Sequence, residues 1–340
     1  MKNIFWGLFA TLTLFACSAA HNTGSNKSAF KILNRIKLPG DGFWDYITVD
    51  ETTDRLYVSH GTQVQVVDLK TDQPIGAIPN QKGVHGIALA PEFGKGFISN
   101  GGDTSVTVFD LKSLAASSKI KVTGANPDAI LYDPFSKRLF SFNHNGNNAT
   151  AIDAATNKVI GTITLSGSPE FAVTDGKGLV FVNIEDKSEM AVIDVKTLTV
   201  KQKWSLAPGE EPTGLAFDAK NGRLFSVCGN KKMVVSDAKT GKILQTLPIG
   251  DGADGVAFDP ISRQVFSSNG EGNVTIVGEK SADKYQVIAT VPSQKGARTI
   301  GVNSKTHRIY MPTAEREAAV GNARPAVKPG TFVVLEMGEQ

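Results

Sequence analysis

Four carboxylates, a histidine and an arginine recur at one position of a spaced pattern. They are Asp45, His85, Asp128, Glu170, Asp254 and Arg298, with Thr213 in the remaining place. Each lies five residues ahead of a turn position, namely Asp50, Ala90, Asp133, Asp175, Asp218, Asp259 or Asn303, and the turns are separated by 40, 43, 42, 43, 41 and 44 residues. A second series ends the apolar run after each turn: His60, Asn100, Asn143, Asn183, Cys228, Asn269 and Thr313. Brought together, carboxylate and amide oxygens form a hard donor set suited to Ca²⁺ or Mg²⁺, and His85 would admit Zn²⁺ or Mn²⁺. The candidate ligands of such a divalent metal are Asp45, His85, Asp128, Glu170 and Asp254. A metal held there would polarise a lactone or ester carbonyl and activate water. Four clustered carboxylates also repel, which raises some of their pKa values unless a cation or Arg298 compensates. The competing reading stays open: the charges are solvated in a wet channel and the asparagines shape turns by bonding their own main chain. Arg298 reads either as an anion clamp or as the counter-charge of its neighbours.

The elements that must position these residues come from a repeat. Seven segments align, among them YITVDETTDRLYVSH (46–60), AILYDPFSKRLFSFN (129–143) and GVAFDPISRQVFSSN (255–269), each a β-rich run, a turn and a second β-rich run. Asp-Pro in DPFSK and DPISR suits the first positions of a type I turn. A third apolar run follows in each unit (VQVVDL, VTVFDL, ATAIDA, MAVIDV, MVVSDA, VTIVGE, FVVLEM), and a fourth is seen in KILQTLPIGDG, 242–252. A period near 42 with four short strands per unit is that of a β-propeller blade. The last unit ends after its third strand, while KILNRIKLPGDG (31–42), a near twin of the fourth, precedes the first unit. The expectation is an all-β, seven-bladed propeller over 30–340 whose N-terminal strand completes the last blade and closes the ring. The innermost strands line the axis, so both residue series should meet at one mouth of the central channel.

The runs VFSSN, LFSFN and LVFVN, followed by strands of V-x-V-I-D and I-G-T-I character, resemble the YVTN-type repeat. Over 30–340 the chain is similar to YncE-family propeller proteins. GSPEFAVTDGKGLVFVNIEDK, GARTIGVNSKTHRIYMPTAE and the Ala/Pro-containing insertion before PGTFVVLEM resemble one exported branch of that family. That branch commonly carries a cysteine in an APCEEP-like loop where this chain has Gly209 in APGEEP. If those relatives pair it with the position of Cys228, the resemblance implies that the bridge is lost here and Cys228 is a free thiol. The resemblance carries the fold strongly and function weakly, because propellers host many chemistries.

Near the N-terminus, Lys2 is followed by the apolar stretch 4–16, read as a secretory signal too short for a mature transmembrane helix. Leu14-Phe15-Ala16-Cys17 resembles a bacterial lipobox, making 1–17 the signal peptide, Cys17 the lipidation site and 18–29 a polar linker. The alternative is ordinary cleavage after Ala20. Either way the expected location is exported, in the periplasm or anchored as a lipoprotein, with membrane contact only through the acyl chain. The two cysteines, Cys17 and Cys228, then leave no internal disulfide.

Lys+Arg 36 against Asp+Glu 33 gives a net charge of +3 without basic runs, which disfavours nucleic acid as a partner. No Gly-rich phosphate loop, G-x-S-x-G, H-E-x-x-H or C-x-x-C-H occurs, which argues against the motif-bearing enzyme classes. His144 reads as a surface histidine, His307 as part of a turn on the opposite face, Trp44 as packing between blades, and Glu210 and Glu211 as solvent-facing. The insertion 315–330 should fold over or near the mouth as a lid, partner contact or tether. The leading expectation is a monomeric, exported module that binds a small ligand or a protein through the mouth. A metal-dependent lactonase is the alternative, and DNA binding a weaker one.

Overall fold

The computed structural model describes residues 1–2, 29–318 and 325–340. The apolar stretch of the signal, Cys17, the linker up to residue 28 and part of the insertion lie outside the described residues. Among the described residues no helix is long and apolar enough to cross a membrane.

Seven four-stranded antiparallel sheets form the blades of a β-propeller. In the first six, strand order follows the chain. The first blade runs Trp44–Asp50, Arg55–His60, Gln63–Asp68 and Gln73–Ile78 from the axis outward. The seventh is composite: Gly301–Asn303, Arg308–Thr313 and Val333–Gly338 are completed by Lys31–Lys37, which pairs antiparallel with the C-terminal strand from Lys31↔Gly338 to Lys37↔Val333. This is the closure expected from the sequence. Innermost strands of successive blades touch around the whole ring, the seventh against the first included.

Burial follows from stacking blade on blade. Second strands such as LFSFN are buried on both faces, whereas the outermost strand Ala116–Lys121 buries only Ile120. The apolar clusters therefore sit between blades: Phe140, Phe142 and Ala151 of the third pack against Val180, Val182 and Ile193 of the fourth. Burying such side chains contributes about 1.5–3 kcal/mol each.

Two features of the innermost strand fix its mouth end. The register shifts there in six blades, between Trp44 and Ile47, Val84 and Ile87, Pro127 and Ile130, Pro169 and Ala172, Pro212 and Leu215, and Ala253 and Gly255. Each shift spans the residue of the charged series, so a bulge re-aims that side chain. The main chain beside it is held by the preceding blade. Ser99 donates to Asp128 O, Thr213 Oγ1 to Ala253 O at 3.1 Å, and Thr299 Oγ1 to Asp45 O at 2.6 Å.

Candidate functional site

Asp45 is buried and anchors one side of the mouth. Its Oδ2 lies 2.6 Å from His85 Nδ1, and its Oδ1 lies 3.4 Å from Arg298 Nη2. Arg298 also contacts Asp254 through Nη1 and lies over the ring of Phe43. His85 Nδ1 is 3.3 Å from Asp128 Oδ1, and His144 Nδ1 is 2.9 Å from Glu170 Oε1. On its other side, His144 Nε2 lies 3.8 Å from Glu185 Oε2. The charged series thus forms a connected arc from Asp254 through Arg298, Asp45, His85 and Asp128, with Glu170 and His144 beyond it. Thr213 is outside this arc, because its hydroxyl is committed to main-chain carbonyls.

Electrostatics divide the arc. Arg298 faces Asp45 and Asp254, so the carboxylates of the third and fourth blades have histidines as their basic neighbours. Burial, with the neighbouring Asp45 and Glu170 charges, pushes the Asp128 carboxyl up to about 8, while His85 opposes the shift. Beside Glu170, the His144 imidazole is pushed up to about 9 against the opposing effect of burial. Burial acts to lower the pKa of His85, but its bond to Asp45 and the Asp128 charge raise it overall. Glu185 is raised by burial and by Glu170. Asp128 Oδ1 and His144 Nδ1 are buried atoms that complete no hydrogen bond; their near neighbours are the ionic contacts just given.

His144 is therefore not the surface histidine expected from the sequence. It follows Asn143 in a single 3₁₀ turn, His144–Gly146, which swings the imidazole back to the mouth. The signal was available: Gly61, Gly101, Gly229 and Gly270 hold the equivalent place in four other blades. At Gly101 the absence of a side chain makes room, since a Cβ there would lie 2.7 Å from His85 Nε2. Glu185, like His144 in a single 3₁₀ turn after its blade's second strand, carried no such expectation.

The asparagine series faces inward. Asn100, Asn143, Asn183 and Asn269 are all fully buried, and none has left-handed backbone. Asn143 Nδ2 donates to Asn148 Oδ1 at 2.6 Å and Thr150 Oγ1 at 2.9 Å, and Asn269 does the same to Asn273 and Thr275. Asn100 bonds Thr107, and Asn183 reaches the next blade at Thr213 O, 2.9 Å, and Gly214 O, 3.1 Å. These amides tie strand ends together because buried polar groups need partners. His60 likewise bonds Gln65 and stacks on Phe332. Cys228 is a free, buried thiol, and burial pushes it up to about 12. A Cβ on Gly209 would lie 2.6 Å from its sulfur, so the two positions are adjacent, as a bridge in relatives would require.

Below the ring, Tyr46 and Phe171 meet across the axis with centroids 5.4 Å apart and divide the channel. Burial and the Asp128, Glu170 and Asp45 charges raise the Tyr46 phenol well above its ordinary value. Beyond them, the channel opens toward the other face as a vestibule of about 620 Å³ lined by Thr48, Val49, Leu131, Thr174, Phe217 and Val302. The described part of the insertion forms a short ladder, with Arg316 bridged to Val327 and Glu317 N donating to Ala326 O at 2.9 Å. It stands beside the mouth rather than across it: Arg316 lies over the ring of buried Trp44 and walls a groove of about 880 Å³ that no residue of the charged ring lines. His307 lies in its turn, 2.6 Å from Asp259, and Glu210 and Glu211 are exposed.

No family model matches the chain. A curated relative, Antigen Lp49 of Leptospira interrogans, is 22% identical over 232 residues, 65% of this chain and 51% of that protein. The chain therefore spans about half the length of that relative. Among solved structures, a chain of Kuenenia stuttgartiensis hydrazine synthase superposes with a TM-score of 0.68 at 18% identity, covering 81% of this chain and 92% of that chain. At these identities the likeness concerns architecture alone, and with the seven four-stranded sheets it shows that this chain has the seven-bladed β-propeller fold.

Proposed function

We propose that this protein is an exported, monomeric propeller of the YVTN-repeat kind that acts as a binding module for cationic ligands, captured at the charged mouth. The observation that carries the reading is Asp128. It lies in a buried site flanked by Asp45 and Glu170, and the one arginine of the arc is already engaged with Asp45 and Asp254. A positive group entering there relieves a repulsion that the protein's fixed charges leave in place. The propeller suits this role because rigid strands hold the side chains while loops leave the mouth accessible.

The experiment is a thermal-shift and calorimetric screen of the EDTA-dialysed full chain against Ca²⁺, Mg²⁺, Mn²⁺, Zn²⁺, spermidine and choline. At least one cation should raise the melting temperature of the wild type and lose its effect in Asp128→Asn. Cation responses that are absent, or unchanged in Asp128→Asn, would remove the reading. Export is supported by the apolar stretch 4–16 and the lipobox-like Cys17. Mass spectrometry of the protein from membranes checks it, with a diacylated Cys17 expected and a mature end at His21 counting against lipidation.

A metal-dependent hydrolase of the lactonase class is the second reading. It is favoured by the presence of imidazole and carboxylate donors within metal-ligating reach of one another. Lactone turnover abolished by Glu170→Gln would replace the pure binding reading with this one. No observation favours DNA, since the mouth is rich in carboxylates.

A further inference from the structure

The mouth contains two overlapping donor sets rather than one acidic ring. Asp45, His85 and Asp128 bring one ligand atom each within 4.8 Å of one another, and Asp128, His144 and Glu170 do the same. Each set joins one imidazole to two carboxylates, and Asp128 belongs to both. We propose that the mouth is a two-ion centre for borderline divalent transition metals of the Zn²⁺ or Mn²⁺ class, with Asp128 as the shared bridging ligand. This rests on the cationic-ligand reading of the same site and specifies which cations it takes and how many.

Four observations support it. First, the donors have the right chemistry: mixed imidazole and carboxylate sets suit Zn²⁺ and Mn²⁺ better than Ca²⁺, which prefers an all-oxygen shell. Second, the spacing fits, because donors about 2.1 Å from a tetrahedral ion stand about 3.4 Å apart. The Asp45–His85, His85–Asp128 and His144–Glu170 separations of 2.6, 3.3 and 2.9 Å need only small outward movements to reach it. Third, Asp128 Oδ1 and His144 Nδ1 are buried atoms whose near neighbours, His85 Nδ1 at 3.3 Å and Glu170 Oε1 at 2.9 Å, belong to the same two donor sets. Each set therefore turns its ligand atoms toward one another rather than toward the surrounding main chain, which is the arrangement an ion between them needs. Fourth, His144 presents Nδ1 to the site while its Nε2 points toward Glu185 Oε2, 3.8 Å away. A carboxylate behind the outer nitrogen is the arrangement that orients metal-bound histidines. A carboxylate shared by two ions typically holds them about 3.5–4 Å apart.

Asp254 belongs to neither set. Arg298 occupies it, and the guanidinium closes that end of the arc to a cation. The centre is therefore confined to the first four blades, and its ligands differ from the five candidates read from the sequence by the exchange of Asp254 for His144.

The test loads the EDTA-dialysed full chain with Zn²⁺, removes loosely held ion by desalting, and counts retained metal by mass spectrometry. The expected result is about two Zn²⁺ per wild-type chain, about one in His144→Ala or His85→Ala, and close to none in Asp128→Asn. Asp254→Asn should retain the wild-type count, and circular dichroism establishes that each variant is folded. Loading with Mn²⁺ should give a magnetically coupled pair by electron paramagnetic resonance in the wild type and an isolated ion in His144→Ala. A count of one that His144→Ala leaves unchanged, or an Asp254→Asn loss equal to that of His144→Ala, overturns the two-ion centre. If Zn²⁺ and Mn²⁺ are not retained but spermidine or Ca²⁺ still binds through Asp128, the centre falls and the cationic-ligand reading stands. If no cation binds, both fall.

Discussion

Two sets of acidic residues lie on the same innermost strands, five residues apart, and they behave in opposite ways. At the face away from the mouth, Asp50, Asp133, Asp175, Asp218 and Asp259 start the turn to the second strand. Each accepts hydrogen bonds from its own turn: Asp218 from Lys220 N at 2.9 Å, Asp259 from Ile261 N at 2.9 Å and Ser262 N at 3.2 Å. Asp259 is fully buried, and although burial raises its pKa, the His307, Ser262 and main-chain donors hold it below the usual carboxylate range. At the mouth, Asp128 has no such local donors and its carboxyl is pushed up to about 8. The turn acids are satisfied by neighbours in sequence, whereas the mouth acids face one another from different blades. Locally satisfied carboxylates stabilise a fold, and carboxylates gathered from separate blades create a demand for a cation.

The largest effect that would sharpen this contrast is at Asp259. Asp259→Ala removes a buried acceptor from two main-chain N–H groups and from His307, and should cost about 3 kcal/mol by urea denaturation near neutral pH. A loss below a few tenths of a kcal/mol would break the comparison on the turn side. The next is Asn183→Ala, which deletes the bonds that join the fourth blade to Thr213 O and Gly214 O and should cost about 2 kcal/mol by the same measurement. Both exceed the expected effect of Asp128→Asn, which should be neutral or slightly stabilising in metal-free protein, because no hydrogen bond to Asp128 Oδ1 is lost and a repulsion is relieved. A destabilisation by Asp128→Asn comparable to that of Asp259→Ala would erase the distinction.

The pH dependence should separate the two acids by sign. The depressed folded-state pKa of Asp259 means that its contribution is fully present above the unfolded value of about 4 and is lost as pH falls through the folded value. The raised pKa of Asp128 means that the folded state holds the proton longer, so this residue erodes stability as pH rises from about 4 toward about 8. Denaturation of metal-free wild type and Asp128→Asn across that range should show the variant gaining on the wild type as pH rises. Parallel curves would remove the claim that Asp128 is strained by its neighbours.

How much of this was legible in the sequence follows the same line. The turn acids Asp133 and Asp259 announce themselves through the Asp-Pro of DPFSK and DPISR, because an Asx turn is decided within four residues. The composite seventh blade was legible too, since a fourth-strand twin at 31–42 and a unit lacking its fourth strand leave one pairing that closes the ring. The charged series could be aligned by counting from the turns. Its arrangement could not, because a bulge at the mouth end of six blades and donors such as Ser99 and Thr299 from the preceding blade set where the side chains point. The asparagines illustrate the limit: periodicity placed them beside the mouth, but the pairs Asn143 with Thr150 and Asn269 with Thr275 turn them into the blade.

By itself, then, the sequence determined the repeat, the number of blades, the closure by the N-terminal strand and the charged series at the height of the mouth. These depend on strand period and turn chemistry, which act over a few residues. The tertiary structure decided which of those residues touch: that Arg298 neutralises Asp45 and Asp254, that His144 joins Glu170, and that Asp128 is left between two like charges. Such pairings are set by the angle at which one blade stacks on the next, and Coulomb interactions between blades depend on distances that no spacing along the chain encodes.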